Sequence, residues 1–495
     1  MDVTVNRVLP ASPYQSLADY VAAGGGAGLT AALAVAPDVV IGELEASGLR
    51  GRGGAGFPTG VKWRTVASYA SPLASTTVVV NAAEGEPGTF KDRAIIDANP
   101  YAVLEGALIA AHAVGATTIV VATKARFTAQ VARLRAAVTE LREAGLVEGI
   151  ELRLVEGPAE YLFGEETALL EVIDGRAPFP RIAPPFRRGV DEVPVTESDP
   201  IGASGLSAPV QMAETDAGSD APPTLVDNVE TMANVPAIIA RGADWFRSLG
   251  TPSSPGTVIC TVTGAVRRPG VGEVPMGTSL RDVIDTIGGG LVPDRSLRAV
   301  LVGVSSAVIT PDKLDTALTY EAMAAIGSGL GSGGYVVVGD DASPVGIAAG
   351  ISRFLAVESC GQCTPCKQDG GEIATLLDDL AKGTGQGDHL TRIDNRLATV
   401  ADGARCSLGR QHHTVVTSVI AAFRSDFEAR QGATAEPVDV LLMAELVALD
   451  DGGAHLDESF AGKQPDWTYD AEDSGKTPVE RLTDHRADEP VIGTA

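Results

Sequence analysis

Four cysteines are the residues most able to do chemistry in this chain. The stretch "ESCGQCTPC" places Cys360, Cys363 and Cys366 at a C-x2-C-x2-C spacing. A glycine and a proline in the same stretch favour a tight turn, which directs three sulfurs at one small volume. A [4Fe–4S] cluster needs four thiolates, and the fourth commonly comes from elsewhere in the chain. Cys406, the remaining cysteine of this part of the chain, is the predicted fourth ligand.

The same cysteines allow two other interpretations, a structural zinc site and unligated thiols. Zinc sites more often use two separated C-x2-C pairs or histidines, so the spacing favours the iron–sulfur cluster. Clustered cysteines in a long chain without a secretory signal are more often metal ligands or redox groups than disulfides. Cys260 lies in an apolar stretch and is predicted to be a core residue. His412 and His413 follow Cys406 closely, and we expect them on a helix surface or in the core.

A glycine-rich stretch, Gly48 to Trp63 ("GLRGRGGAGFPTGVKW"), is the second candidate site. Glycines let a ligand approach the backbone, whose N–H groups then bind phosphate. Arg50, Arg52 and Lys62 add positive charge to this stretch. The pattern is neither a P-loop nor a G-x-G-x-x-G that follows a strand and opens a helix. Two interpretations therefore stay open, an anion-binding loop and a flexible loop.

Two acidic loops favour the first of these interpretations. "NAAEGEPGTFKDR" follows a predicted strand, and "EYLFGEETALL" precedes a predicted helix. Their polar and glycine residues are Asn81, Glu84, Glu86, Tyr161, Gly164, Glu165 and Glu166. Carboxylates suit ribose hydroxyls, polar groups of a flavin and a nicotinamide amide, although each could instead cap a helix or face solvent. Together with the cysteines, these loops indicate a nucleotide redox cofactor that exchanges electrons with a cluster.

The segments around these stretches alternate between helices and strands. A helical pattern covers residues 14–47, and buried strands are predicted at Val78 to Val80 and at 117–123. The alternation predicts a doubly wound α/β domain over residues 1–250, in which ligands bind at the carboxyl ends of the strands. An insert at 187–223, rich in proline, serine, glycine and aspartate, is predicted to be either a long surface loop or a disordered segment.

Three further segments follow, so the fold class is an α/β multidomain protein. Residues 255–340 predict a small β-α-β domain with its own core. Residues 345–434 contain four amphipathic segments, which favour a helix bundle. Residues 435–495 predict a hairpin around an Asp-Gly-Gly turn and then a polar tail.

Composition limits the class of protein. The 495 residues are 44% hydrophobic and 21% charged, which is typical of a soluble globular chain with two to four domains. A formal charge of −26 argues against a general nucleic-acid binder and favours solubility or a basic partner. We find no apolar run of about 20 residues and no secretory signal. A cytoplasmic protein is predicted, with any association with the inner membrane made through partner subunits.

Five motifs, in order, resemble a known family: "GLRGRGGAGFPTG", "EGEPGTFKDR", "GEETALL", "VDNVET" and "ESCGQCTPC". They look like the NADH-binding flavoprotein subunit of respiratory complex I. Its relatives are the diaphorase subunits of NAD-dependent formate dehydrogenases and NAD-reducing hydrogenases. The resemblance implies a Rossmann-like FMN-binding domain, a β-grasp (ubiquitin-like) domain and a four-helix bundle with a [4Fe–4S] cluster. It implies hydride transfer between NAD(H) and FMN and one-electron transfer to or from the cluster.

The resemblance also implies site residues by motif position. Those expected to contact FMN are Gly51, Gly53, Lys62, Asn81, Glu84, Tyr161, Gly164, Glu165, Val226, Asp227, Asn228 and Val229. Those expected to contact NADH are Phe57, Glu86, Glu166 and Phe186. The expected cluster ligands are Cys360, Cys363, Cys366 and Cys406. No catalytic side chain is expected, because FMN carries the chemistry.

Three residues depart from the usual motifs of the family. Ala83 replaces an aspartate and removes a polar contact with the flavin. Asp227 replaces the first of two asparagines and places a negative charge near the flavin, and Ala183 replaces a lysine. We therefore expect FMN to bind with altered affinity or potential. The alternative is a flavin-impaired subunit that serves electron transfer or assembly.

The resemblance further implies partners. They are NAD(H), a thioredoxin-like [2Fe–2S] subunit and a larger iron–sulfur or molybdenum subunit, without nucleic acid or direct membrane insertion. The motifs favour a complex I-type or a formate dehydrogenase-type subunit. Trp467 and Tyr469, in the C-terminal extension, either anchor such a partner or pack back on the bundle.

Overall fold

The computed structural model describes residues 3–70, 75–187, 189–190, 223–432, 435–450, 452–465 and 467. Nearly all of the predicted 187–223 insert and the whole polar tail after Trp467 lie outside the described residues. The described chain forms three successive regions and a C-terminal segment. Among the described residues, no single helix is long and apolar enough to cross a membrane. The helices Lys91–Ala98 and Pro100–Val114 reach that length and apolar composition only together, and a bend of 97° separates them.

Four parallel strands form the sheet of the first region, in the order β3-β2-β1-β4. The strands are β1 (Thr76–Ala82), β2 (Ala116–Lys124), β3 (Glu151–Gly157) and β4 (Thr224–Asn228). The strand predicted at Val78 to Val80 is confirmed within β1, where all three valines are fully buried. β1 has β2 on one side and β4 on the other, so the order of the strands reverses here. Open α/β sheets bind their ligands at such a reversal, outside the carboxyl ends of the strands.

Helices cover this sheet and position its loops. They are α1 (Leu17–Ala22), α2 (Ala27–Leu33), α3 (Pro37–Ser47), α4 (Thr59–Ser68), α5 (Lys91–Ala98), α6 (Pro100–Val114), α7 (Thr128–Glu143), α8 (Glu166–Ile173), α9 (Val229–Arg241) and α10 (Ala243–Arg247). A 3-10 helix at Tyr161–Gly164 leads into α8. The helical pattern predicted over 14–47 is confirmed as the three helices α1 to α3. The Asn228 side chain caps α9 by accepting a hydrogen bond from the Glu230 N–H at 3.0 Å.

The second region is a five-stranded mixed sheet in the order β6-β5-β9-β7-β8. Its elements are β5 (Thr257–Gly264), β6 (Gly270–Pro275), α11 (Leu280–Ile287), β7 (Leu297–Val302), β8 (Ser306–Ile309), α12 (Tyr320–Ala325) and β9 (Gly334–Gly339). A separate apolar core lies between the sheet and α11. Cys260 is fully buried in β5 as part of this core, as predicted.

The third region is helical, and its four predicted helical segments are confirmed. They are α13 (Pro344–Val357), α14 (Thr364–Ala381), α15 (His389–Thr399) and α16 (Leu408–Ala422), followed by the short α17 (Arg424–Glu428). The helices share one apolar core. The cysteine turn joins α13 to α14, and Cys406 lies just before α16.

The C-terminal segment returns across the first and third regions. The predicted hairpin is confirmed as β10 (Leu446–Asp450) and β11 (Gly453–Leu456), which pair antiparallel. Arg353 of α13 donates hydrogen bonds to three backbone carbonyls near residue 461. The Trp467 side chain lies against Gly361. The Lys367 ammonium nitrogen lies over the Trp467 ring, 4.4 Å from the ring centroid. For Trp467 the structure therefore supports packing back on the chain, whereas Tyr469 lies outside the described residues.

One glycine pair lets the C-terminal backbone lie directly on α13. A Cβ atom on Gly350 would overlap the Leu441 carbonyl oxygen, and one on Gly346 would overlap that of Asp439. We expect Gly350→Ala to destabilise the protein by about 1–3 kcal/mol, because backbone rather than a flexible side chain must move.

The matched control for this prediction is Gly371→Ala in α14. A Cβ at Gly371 would meet no atom within 4 Å, so alanine should stabilise its helix by up to about 1 kcal/mol. Thermal unfolding of both variants, with limited proteolysis of the C-terminal segment, checks the pair. Equal melting temperatures for the two variants would show that the close backbone contact does not matter.

Candidate functional site

A cavity of about 550 Å³ lies at the carboxyl ends of β1 and β4. This volume is within the roughly 300–1,000 Å³ that is typical of ligand sites. The first region supplies most of the wall. The second region adds Ser305, Ser306 and Ser332, and the third adds Arg410 and Gln411 from α16. The cavity therefore depends on the packing of all three regions.

Most of the residues predicted for the two nucleotides line this one cavity. They are Gly51, Gly53, Phe57, Lys62, Asn81, Glu84, Glu86, Tyr161, Gly164, Glu165, Glu166, Val226, Asp227 and Asn228. Val229 and Phe186 are not among the lining residues. Val229 is fully buried at the start of α9, and Phe186 packs on Tyr69 with ring centroids 5.3 Å apart. Of the two phenylalanines expected to flank the adenine, Phe57 lines the cavity and is 53% exposed.

Backbone contacts close the glycine-rich stretch into a loop. The Gly51 N–H donates to the Phe57 carbonyl at 2.8 Å, and Arg50 pairs with Pro58 in an isolated bridge. A Cβ on Gly53 would come within 3.2 Å of the Asn228 Cβ, so the glycine lets this loop approach the end of β4.

The two arginines of this stretch are not among the lining residues of the cavity. Arg52 is buried and donates to the Thr257 carbonyl at 2.9 Å and to the Tyr320 hydroxyl at 2.9 Å. Arg50 lies over the Tyr320 ring and pairs with Glu321. Both arginines thus attach the loop to the second region. Lys62 is the basic residue of the stretch that reaches the cavity.

Lys62 is held by three acceptors. Its ammonium lies 2.5 Å from Glu166 Oε1, 2.5 Å from the Val226 carbonyl oxygen and 3.8 Å from Asp227 Oδ1. Burial lowers the pKa of Lys62, but the two carboxylates outweigh burial and raise it above its ordinary value. Trp63, fully buried, donates its indole N–H to Asp227 Oδ2 at 2.7 Å. The charge that Asp227 adds to the cavity is therefore paired.

Glu84 has internal partners. Its carboxylate accepts the backbone N–H groups of Asp92 and Arg93 at 3.1 and 3.3 Å and the Arg93 guanidinium at 2.9 Å. Asp92 in turn accepts from Asn228 and pairs with Lys91. This buried network fixes the start of α5 and the orientation of Asn228.

The "GEET" loop combines capping with a close approach. Glu165 is the N-cap of α8 and accepts the Thr167 and Ala168 N–H groups at 3.0 and 2.8 Å. The Asn81 amide donates to the Gly164 carbonyl at 2.9 Å, which ties this loop to the end of β1. Capping was one of the two roles that the sequence allowed for this glutamate.

Glu86 and Tyr161 connect the three regions. The Tyr161 hydroxyl donates to Glu86 Oε2 at 2.5 Å, and the Val304 N–H of the second region donates to Glu86 Oε1 at 2.7 Å. Gln411 of α16 donates to the same hydroxyl at 3.3 Å. Burial raises the pKa of Glu86, and the hydrogen bonds from Tyr161 and Val304 only partly oppose it.

A second, small cavity is lined by Cys360, Cys363, Cys366 and Cys406. Burial raises the pKa of the Cys366 thiol to about 11 and of the Cys406 thiol to about 12, and a bound cation would favour the thiolate form of both. Among the described residues, no three Cys, His, Asp or Glu side chains are arranged around a single ion. A cubane holds each thiolate on a different iron, so its ligands lie further apart than those of one zinc ion.

Neither histidine is a lining residue of this small cavity, as predicted. His412 is fully buried and shares a hydrogen bond with the Ser352 hydroxyl at 2.7 Å, and His413 lies 2.7 Å from the Leu397 carbonyl. The donor set that the structure brings together is four sulfurs. Two residues, Leu162 and Leu408, line both this cavity and the larger one.

Comparisons with known proteins identify the family. Three family models match: the Nuo51 FMN-binding domain at residues 44–237, the SLBB domain at 259–307 and the NADH-ubiquinone oxidoreductase-F iron-sulfur binding region at 346–430. An NADH-quinone oxidoreductase F subunit of Rhizobium meliloti (strain 1021) is 36% identical over 424 residues, which are 83% of this chain and 94% of the relative. The chain belongs to the family of NADH-quinone oxidoreductase F subunits.

A hydrogenase subunit and a solved hydrogenase structure also resemble the chain. NADP-reducing hydrogenase subunit HndC of Solidesulfovibrio fructosivorans is 37% identical, over 84% of this chain and 80% of the relative. A crystal structure of NAD+-reducing [NiFe]-hydrogenase in the H2-reduced state matches with a TM-score of 0.70 and 32% identity. The match covers 85% of this chain and 67% of that one.

Family membership confirms the resemblance drawn from the motifs. The chain is an oxidoreductase subunit with an FMN-binding region and a [4Fe–4S]-binding region. The family therefore decides between the iron–sulfur cluster and zinc. The matched iron-sulfur binding region, at residues 346–430, also contains the four cysteines that line the small cavity.

Proposed function

We propose that this chain is the NADH-oxidising flavoprotein subunit of a multi-subunit redox complex. One observation carries the proposal. The cavity that holds the predicted nucleotide residues and the cavity that holds the four cysteines share Leu162 and Leu408 as lining residues. Two cofactors in these cavities would be direct neighbours, as electron transfer between them requires.

The residues of the chain would bind and orient the cofactors. FMN, when bound, supplies hydride acceptance from NADH and single-electron transfer to the cluster. Gly51 and Gly53 permit close approach to the backbone, and Lys62 supplies the positive charge. Phe57, exposed at the cavity, offers an apolar face to the adenine of NADH. Glu86 and Glu166 offer acceptors for its polar groups.

We assign the regions to the subdomains that the motifs imply. The Rossmann-like FMN-binding domain would span residues 1–250, the β-grasp domain 255–340 and the four-helix bundle with the cluster 345–434. The parallel sheet, the mixed sheet with α11 and the four packed helices support this division. The C-terminal extension, 435–495, would be an addition to the family fold.

The partners are proposed from the relatives. The matching proteins are named as subunits of NADH-quinone oxidoreductase and of a hydrogenase. The expected partners are a thioredoxin-like [2Fe–2S] subunit and a larger iron–sulfur or molybdenum subunit. The chain would be cytoplasmic and reach the inner membrane only through such partners.

An NADH–ferricyanide assay tests the function. The full chain, reconstituted with FMN, iron and sulfide, should reduce ferricyanide with NADH and lose this activity when FMN is removed. Flavin absorbance and iron content are measured on the same sample. A protein that takes up the cluster but neither binds FMN nor oxidises NADH would support the flavin-impaired alternative.

A further inference from the structure

The charges around the cavity are unevenly distributed. Its carboxylate lining residues are Glu84, Glu86, Asp92, Glu165, Glu166 and Asp227, and its basic lining residues are Lys62 and Arg410. Two of these carboxylates have their own cations, since Arg93 pairs with Glu84 and Lys91 pairs with Asp92. Asp227 and Glu166 instead share the single charge of Lys62.

The two carboxylates on Lys62 differ in burial. Asp227 lies on β4 with its side chain 5% exposed, whereas the Glu166 side chain is 38% exposed. Solvent screens a half-exposed charge, but it screens a buried charge much less. The Asp227 carboxylate is therefore less screened by solvent, whereas Glu166 lies closer to the ammonium, at 2.5 Å against 3.8 Å, and raises the pKa of Lys62 more.

Asp227 also has a structural partner in Trp63. Its Oδ2 accepts the buried indole N–H, so an oxygen is needed at this position. A charge is not needed for that hydrogen bond, because an amide oxygen accepts equally well. Burial raises the pKa of Asp227, while Lys62 and Trp63 favour its charged form.

We propose that Asp227 weakens the binding of the anionic cofactor FMN by offsetting the charge of Lys62. The inference rests on the proposed function, because it takes FMN as the ligand of this cavity. The phosphate of FMN carries a charge near −2 at neutral pH. An ammonium that is already shared between two carboxylates attracts this anion less than an ammonium with one.

The test is Asp227→Asn, which keeps the shape of the side chain and an oxygen that accepts from Trp63, and removes the negative charge. FMN and riboflavin are titrated separately into flavin-free protein, and the quenching of flavin fluorescence gives each dissociation constant. Riboflavin has the same ring system but no phosphate. We expect the dissociation constant of FMN to fall at least about fivefold and that of riboflavin to change less than about twofold.

Glu166→Gln is a second variant that tests the same account. It removes the other carboxylate from the same ammonium, at a position where solvent screens the charge. It should therefore also tighten FMN and leave riboflavin nearly unchanged, which tests whether Lys62 is the charge that both carboxylates offset. The melting temperatures of the flavin-free proteins show whether either variant alters the fold.

The outcomes distinguish the inference about Asp227 from the proposed function. If FMN and riboflavin shift equally, or neither shifts, the inference about Asp227 is overturned while FMN binding by the wild type leaves the proposed function in place. If neither the wild type nor Asp227→Asn binds any flavin, the proposed function and the inference both fail. A gain confined to FMN supports the charge-based account, because a merely structural change would move both flavins.

Discussion

Replacing Cys406 with serine should remove the iron–sulfur cluster and leave FMN binding intact. Cys406 is the one thiol of the small cavity that lies outside the 360–366 turn. A [4Fe–4S] cluster is held by four thiolates, and a serine hydroxyl does not ionise near neutral pH to replace one. We expect iron per chain to fall by more than about half, because the three remaining thiolates hold a partial cluster weakly.

The flavin should be retained because Cys406 does not line the larger cavity. Iron and sulfide analysis, the electron paramagnetic resonance spectrum of the reduced protein and the flavin content measure both sites in one sample. Cys260→Ala is the matched control, since Cys260 is fully buried in β5 and does not line the cysteine cavity. Full iron content in Cys406→Ser, or loss of iron in Cys260→Ala, would contradict the ligand assignment.

Local patterns predicted the parts of the site that local structure determines. The C-x2-C-x2-C turn places three ligands within seven residues, so no long-range packing is needed to bring them together. β1 could be predicted for a similar reason, because three consecutive valines between turn-forming residues indicate a buried strand. Asn81 follows from this, since ligands of open α/β sheets bind at the carboxyl ends of the strands, whereas Asn228 came from the motif resemblance and lies at the end of β4, a strand that was not predicted.

The direction of a side chain was not predictable in the same way. Arg50 and Arg52 are as close in sequence to the glycines as any basic residue, yet they face Tyr320 and Thr257 of the second region. Their partners lie about 200 or more residues further on, and no local pattern encodes that contact. The number of charges in a loop can be read from its sequence, but the packing of the folded chain determines which of these charges reach the cavity.

The cavity-lining residues from the second and third regions were not predicted, for the same reason. Ser305 and Ser332 line the cavity from loops of the second region, and Gln411 lines it from α16. None of these residues stands in a motif with a recognised spacing. The role of Glu84 was also ambiguous, because a carboxylate before a helix fits both a ligand contact and the cap that the structure shows.

Removing the Glu445 carboxylate should cause the largest loss of stability among single side-chain changes in the C-terminal segment. Glu445 is 5% exposed and contacts the Lys124 ammonium, which is fully buried, and the Arg126 guanidinium at 2.7 Å. In Glu445→Ala, Lys124 keeps the Ala159 carbonyl at 3.0 Å but loses its carboxylate. Breaking a buried pair in this way costs about 3–5 kcal/mol, because an uncompensated charge stays buried.

The effect should depend on pH in a defined direction. Burial lowers the pKa of Lys124 even beside Glu445, and removal of the carboxylate lowers it further. Between this lowered pKa and the unfolded value of about 10.4, the unfolded chain binds more protons than the folded chain. Stability therefore rises with pH in this window, and the deficit of Glu445→Ala should shrink from neutral to alkaline pH.

Thermal unfolding at neutral and alkaline pH, with hydrogen exchange across the C-terminal segment, measures this dependence. Asp378→Ala is the control, because its partner Lys382 is largely exposed and such pairs contribute little. The explanation by an unpaired buried charge on Lys124 would be contradicted by either of two results. One is a loss of unfolding free energy equal to that of the control, and the other is a loss that grows as the pH rises. A deficit that shrinks with pH would show that the C-terminal segment is held on the first region by the charge of Glu445.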